Sequence, residues 1–164
     1  MTRILIVDDE ESVAELLASF CASEGREVTV CTSSLEALGR IAEAPPDVLI
    51  SDIVMARLDG LSLVREARAI DAQMEAIVIT GYASSYPMAD VLQCGASDLI
   101  VKPVRMQEFR TRVDLAIERR RAAVARTARE RQLQVTSTEM IDGLQRELEE
   151  ALKPPTPARR TPAS

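Results

Sequence analysis

Short apolar runs closed by polar residues alternate along the chain with stretches whose apolar positions recur every three or four residues. Ile4-Leu5-Ile6-Val7 is such a run, stopped by Asp8-Asp9, and reads as a buried strand. Val13, Leu16, Leu17 and Phe20 follow at helical spacing, with Gly25 as a natural stop. Glu27–Cys31 reads as a second strand. Ser33 and Glu36 form a capping box that opens a helix through Ile41, ended by Pro45-Pro46. Val48-Leu49-Ile50 is a third strand, closed by Ser51-Asp52. A loop to Gly60 leads into a helix with Leu61, Val64 and Ala67 inward. Ala76–Thr80 is the fourth strand, broken by Gly81, and a helix is expected over Ser85–Cys94, ending at Gly95. Leu99-Ile100-Val101 is the fifth, followed by Lys102-Pro103 and a helix from Arg105.

This (βα)5 order predicts an α/β fold with a parallel sheet covered on both faces. The helix from Arg105 has an unusually long reach. Phe109, Val113, Ile117, Val124, Ala128 and Val135 continue a helical stripe to about Gln134. Thr136-Ser137-Thr138-Glu139 is another capping box and predicts a break with a new helix after it. Ile141, Leu144, Leu148 and Ala151 then space as a short coiled-coil seam, weakened by Gly143. Pro154-Pro155-Thr156-Pro157 ends all helix, and the remaining residues read as a disordered tail. The expected divisions are 1–122, a helical extension over 123–153, and a Pro-rich tail over 154–164.

Charge sharpens that division. Residues 1–103 hold 7 Lys and Arg against 17 Asp and Glu, a net of −10, whereas residues 104–164 hold 13 against 9, a net of +4. The whole chain is −6, which disfavours nucleic acid as a partner. Arg119-Arg120-Arg121 reads as a solvated helix face or as a surface lying against acidic residues, on this or another copy. The 164 residues include no histidine, so Ser-His-Asp catalysis, His-containing zinc sites and His-ligated haem are excluded. Only 2% of residues are aromatic, and Tyr82 and Tyr86 are expected partly exposed around the fourth helix. Cys21, Cys31 and Cys94 lack Cys-x-x-Cys spacing and read as small core residues of a cytoplasmic protein. No apolar stretch approaches the roughly 18 residues that span a bilayer, and no membrane partner is expected.

In a parallel sheet of this kind the ligand site lies beyond the carboxyl ends of the strands. Those ends carry Asp8-Asp9, Asp52, Thr80 and Lys102. Taken singly, each has an ordinary role: helix cap, acidic loop residue, strand end, surface charge. Together they form a carboxylate cluster that repels itself unless a cation compensates. Hard oxygen ligands suit Mg²⁺, Lys102 suits a phosphate, and Thr80 offers a hydroxyl donor. Such a set can support phosphoryl transfer to a carboxylate.

The order and spacing of Ile6-Val7-Asp8-Asp9-Glu10, Asp52 with Met55 and Asp59-Gly60, Thr80-Gly81, and Gly95-Ala96 with Lys102-Pro103 resemble the receiver domain of two-component response regulators across residues 1–122. The resemblance implies a doubly wound, flavodoxin-like sheet of order 2-1-3-4-5. It implies Asp52 as the phosphoacceptor, with Asp9, Asp52 and the backbone carbonyl of Val54 as Mg²⁺ ligands and Asp8 binding through water. It implies a Lys102 that pairs with Asp52 or its phosphoryl group, a cis bond before Pro103, and a Thr80 that moves onto the phosphoryl oxygens. Two positions depart from the pattern. Leu99 stands where the family has an aromatic switch residue, and Ala56 where many relatives have proline, which should loosen the loop after Asp52.

The function so implied is that of a signalling module. A partner histidine kinase or phosphotransfer protein donates a phosphoryl group to Asp52, and output is by binding to a downstream protein through the receiver face and helical tail, with homodimerisation through that tail. No independent enzyme is expected beyond phosphoryl transfer to Asp52 and autodephosphorylation. A phosphatase of the haloacid dehalogenase type needs a second carboxylate two residues after the nucleophile, where this chain has Val54. The alternative is a pseudo-receiver scaffold under little phosphorylation control, which Leu99 permits.

Overall fold

The computed structural model describes residues 1–81 and 86–153. Its elements run β1 (Thr2–Val7), α1 (Glu11–Cys21), β2 (Arg26–Cys31), α2 (Ser34–Glu43), β3 (Val48–Asp52), α3 (Gly60–Ile70), β4 (Glu75–Thr80), α4 (Met88–Gln93), β5 (Asp98–Val101) and α5 (Met106–Ala151). The strands form one parallel sheet in the order β2-β1-β3-β4-β5, the flavodoxin-like order expected.

Successive strand residues point to opposite faces, so each apolar run feeds two cores. Leu5, Val7, Leu49, Ala76 and Val78 face Ala37 and Ile41 of α2, Leu63, Val64 and Ala67 of α3, and Val91 of α4. Ile4, Ile6, Val48, Ile50, Ile77, Ile79 and Ile100 face Ala14, Leu17 and Cys21 of α1 and Phe109, Val113, Ala116 and Ile117 of α5. The strands therefore read as continuous apolar runs rather than alternating ones, because neither face meets water.

Caps and stops follow their chemistry. Ser33 caps α2 by accepting from the Glu36 N–H, and Asp59 caps α3 by accepting from the Ser62 N–H at 3.0 Å. Gly95 takes a φ of +91°, which lets the chain turn from α4 into β5. Two expectations need correction, and a third falls outside the described residues. In α1 the inward stripe is Ala14, Leu17 and Cys21, with Val13 and Phe20 packed at its margin, while Leu16 faces solvent. The start of the fourth helix at Ser85 lies outside the described residues, as does Tyr82; α4 begins at Met88, behind Pro87. No break occurs at Thr136. A capping box needs an extended residue at its start, and here the Thr136 and Thr138 hydroxyls instead donate to the carbonyls of Gln132 and Gln134 inside the helix.

The chain divides into two compact units, Met1–Val124 and Ala125–Ser164. The Pro-rich tail over 154–164 lies outside the described residues. The last buried residue of α5 is Ile117; Val124 and Val135 of the expected stripe are exposed. Among the described residues, no helix is long and apolar enough to cross a membrane. The three cysteines are free and buried, and burial pushes the Cys21 thiol up to about 12.

Candidate functional site

The strand register brings four chemically active residues to one edge of the sheet. Val7, the last residue of β1, lies beside Ser51 of β3, so Asp8 and Asp52 leave neighbouring strands at the same level. Thr80 ends β4 opposite Val101, which places Lys102 one residue beyond the same edge. The backbone N–H of Lys102 donates to the Thr80 carbonyl at 2.8 Å, tying these two ends together.

Asp8 and Asp52 are buried and Asp9 is exposed, and carboxylate oxygens of all three lie within 4.8 Å of one another. Lys102 Nζ donates to Asp8 Oδ2 at 3.2 Å and stands 3.5 Å from Asp52 Oδ1. Burial raises the pKa of Asp52; the Lys102 ammonium pulls it back, and the Asp8 carboxylate adds to the rise. For Lys102, burial works against the charged form, but Asp8 and then Asp52 outweigh it and hold its pKa above the usual lysine value. Three carboxylates against one ammonium leave a local excess of two negative charges. That excess, the hard oxygen donors and the exposure of Asp9 fit a hard divalent cation.

Asp8 is not a cap of α1. Its Oδ1 accepts from the Glu10 N–H at 3.0 Å, and Glu10 stands at the cap position without a side-chain bond. Lys102 is no freely solvated charge either, since 30% of its side chain is exposed and its ammonium is shared by two carboxylates. Thr80 is fully buried at the strand end. Val54 opens the loop after Asp52, with its side chain half exposed. Leu99 does not join the cluster. It lies mid-strand beside Val78, partly buried against the core under α4. The peptide bond between Lys102 and Pro103 is cis, as expected.

The loop from Asp52 to α3 is more firmly held than Ala56 alone suggests. The Ala56 carbonyl accepts from the Leu58 N–H at 3.0 Å and from the Ser34 hydroxyl at 3.3 Å. Arg57 adopts a φ of +71°, a left-handed conformation that non-glycine residues rarely take. Gly60 N–H donates to the Ile53 carbonyl at 2.9 Å, and a Cβ on Gly60 would sit 2.0 Å from the Asp52 carbonyl oxygen. Gly60 is thus a positioning residue for Asp52. In the sequence it was visible only as half of the Asp59-Gly60 pair, because its constraint comes from a close approach eight residues back.

The basic segment of α5 also finds acidic partners within the first unit. Arg120 donates to both carboxylate oxygens of Asp71, at 3.2 and 2.7 Å, and to Asp47 at 3.3 Å. Burial alone would raise the Asp71 pKa, but its bonds from Arg120 and the Gln73 N–H hold it below the usual carboxylate range. Arg121 donates to the Thr2 hydroxyl. One arginine of the triplet therefore clamps α5 to the amino-terminal ends of β3 and β4, far from the carboxylate cluster.

A five-stranded 2-1-3-4-5 sheet with this cluster at its carboxyl edge defines a receiver. The family model described as the response regulator receiver domain matches residues 4–114, and the chain belongs to that family. It is 34% identical over 118 residues to the regulatory protein AtoC of Escherichia coli (strain K12), a match covering 72% of this chain and 26% of AtoC. It is 34% identical over 117 residues to the response regulator MprA of Mycobacterium tuberculosis (strain ATCC 25618 / H37Rv), covering 71% of this chain and 51% of MprA. The chain thus spans between a quarter and about half of these curated relatives. Among solved structures, the CheY-like receiver domain protein from Methanospirillum hungatei JF-1 superposes with a TM-score of 0.70 at 27% identity, covering 75% of this chain and 98% of that one. NtrX from Brucella abortus gives a TM-score of 0.70 at 27% identity, covering 77% of this chain and 30% of its own.

Proposed function

We propose that this receiver takes a phosphoryl group onto Asp52 from the phosphohistidine of a partner histidine kinase or phosphotransfer protein. The observation that carries the reading is the placement of the Asp52 carboxylate 3.5 Å from Lys102 Nζ and within 4.8 Å of Asp8 and Asp9 oxygens. An Asp52 oxygen forms the new O–P bond as the P–N bond to the donor imidazole breaks; the ring nitrogen keeps the electron pair. Asp9, Asp52 and the Val54 carbonyl would hold Mg²⁺, with Asp8 reaching it through water, and the bound ion would supply positive charge that offsets the repulsion between a carboxylate and an anionic phosphoryl group.

Lys102 redirects its ammonium from Asp8 to a phosphoryl oxygen, and the Thr80 hydroxyl donates to another. The acyl phosphate carries roughly −2 charge, so both donors follow it and bias the surface formed by α4 and β5. With Leu99 in place of an aromatic ring, that bias runs through Thr80 and the backbone around it. Water later cleaves the acyl phosphate and restores Asp52. Output is by binding to a downstream protein through the receiver face and the helical extension, in a cytoplasmic setting.

Incubation with Mg²⁺ and acetyl phosphate followed by intact mass measurement tests this reading. One added phosphoryl group in the wild type, absent from Asp52→Ala and from EDTA-treated protein, is expected. Equal labelling of Asp52→Ala overturns the site, and absence of labelling with any donor leaves a scaffold.

A further inference from the structure

The second unit carries an apolar face that phosphoryl acceptance does not use. At 100° per residue, Leu133, Met140, Ile141, Leu144, Leu148 and Leu152 fall within an arc of roughly 120°. All six are more than half exposed, from 52% at Ile141 to 73% at Leu152. Asp142, Arg146 and Glu149 lie on the far side of the same turns. A helix that leaves such a stripe in water gains nothing from its amphipathic pattern, and isolated helices are marginal without a covering surface.

Charge along the axis says what covers it. Residues 126–131 carry Arg126, Arg129 and Arg131 against Glu130. Residues 139–150 carry Glu139, Asp142, Glu147, Glu149 and Glu150 against Arg146. The segment is therefore basic at its start and acidic at its end. The acidic end also coincides with the negative pole of the helix dipole, and no basic residue lies in the last turn. The nearest compensation is Lys153, beyond the helix, in an exposed pair 3.9 Å from Glu150. Two copies running in the same direction would set basic beside basic and acidic beside acidic. Two copies running in opposite directions set Arg126, Arg129 and Arg131 of each beside the glutamates of the other and join the two leucine faces between them.

We infer that residues 125–152 form an antiparallel two-helix dimer with a second copy of this chain, closed by the Leu133–Leu152 face and aligned by its basic and acidic ends. This is independent of whether Asp52 is phosphorylated.

Sedimentation velocity of the full chain across a concentration series tests the pairing. A monomer–dimer equilibrium is expected, weakened at least tenfold by Leu144→Asp with Leu148→Asp, while the thermal melt of the first unit is unchanged. Raising salt should loosen the dimer further in the wild type. Spin labels at Glu150→Cys read the direction, the three native cysteines being buried. With helices in opposite directions and the arginines of each copy beside the glutamates of the other, the two labels sit roughly 35 Å apart, given a rise of about 1.5 Å per residue; in the same direction they fall within about 15 Å. A monomer at all concentrations, a dimer indifferent to the double aspartate variant, or the short label distance overturns the inference.

Discussion

Two residues govern the carboxylate cluster by different physics. Gly60 acts by absence: any Cβ there lands 2.0 Å from the Asp52 carbonyl oxygen, and backbone cannot yield cheaply. Gly60→Ala should therefore cost about 1–3 kcal/mol, as overpacking does, and slow labelling by acetyl phosphate. Urea denaturation and timed intact mass measurement check both. Asp52 acts by charge: its carboxylate is buried beside Asp8, and that burial raises its pKa, so the ionised form works against folding at neutral pH. Asp52→Asn should raise the melting temperature at pH 7 by a few degrees while abolishing labelling, read by thermal denaturation and mass. The cluster residues Asp8, Asp9, Asp52, Thr80 and Lys102 were legible in the sequence because each directly follows or ends an apolar strand. Gly60's role was not, because its neighbour is set by a folded loop.

The elements were legible in proportion to how far neighbours decide them. The five strands read correctly because burial on both faces leaves unbroken apolar runs. The inward face of α1 was misread in part: Leu16 and Leu17 are the same residue type at adjacent positions, and only packing against the sheet decides that Ala14, Leu17 and Cys21 turn inward while Leu16 meets solvent. In α5 the stripe carries weight only where the sheet covers it. Phe109 is fully buried and meets Phe20 edge to face at 6.2 Å, so Phe109→Ala should cost about 3–5 kcal/mol. Val135→Ala, at an exposed position on the same stripe, should change stability by less than about 0.5 kcal/mol. Chemical denaturation of the two variants distinguishes a packed stripe from a merely periodic one.

Across the first unit, Arg120 joins α5 to Asp47 and Asp71 at the end of the sheet opposite the carboxylate cluster. Because Asp71 has a folded pKa below its unfolded one, its contribution to stability is present above the ordinary carboxylate pKa and is lost as pH falls toward the depressed value. Arg120→Ala should thus cost about 1 kcal/mol at pH 7 and progressively less below pH ~4, measured by urea titration at each pH. Truncation after Val124 tests the division into units. The last buried side chain of α5 is Ile117 and the Arg120 clamp is retained, so the melting temperature should move by no more than a few degrees.

By itself, the sequence determined the class of this protein. Apolar strand runs, their polar closures and the acids, threonine and lysine at those closures are local facts, and a parallel sheet has few ways to arrange them. Only the tertiary structure decided what depends on approach through space. It brought Lys102 between Asp8 and Asp52, pressed Gly60 against the Asp52 backbone, and gave Arg120 two carboxylates distant in sequence. It also carried the helix through Thr136, where a local capping pattern competes with hydrogen bonds on both sides and loses. Local patterns choose the elements because burial and capping act over a few residues; contacts between elements choose the site because charge and steric exclusion act over ångströms, whatever the separation along the chain.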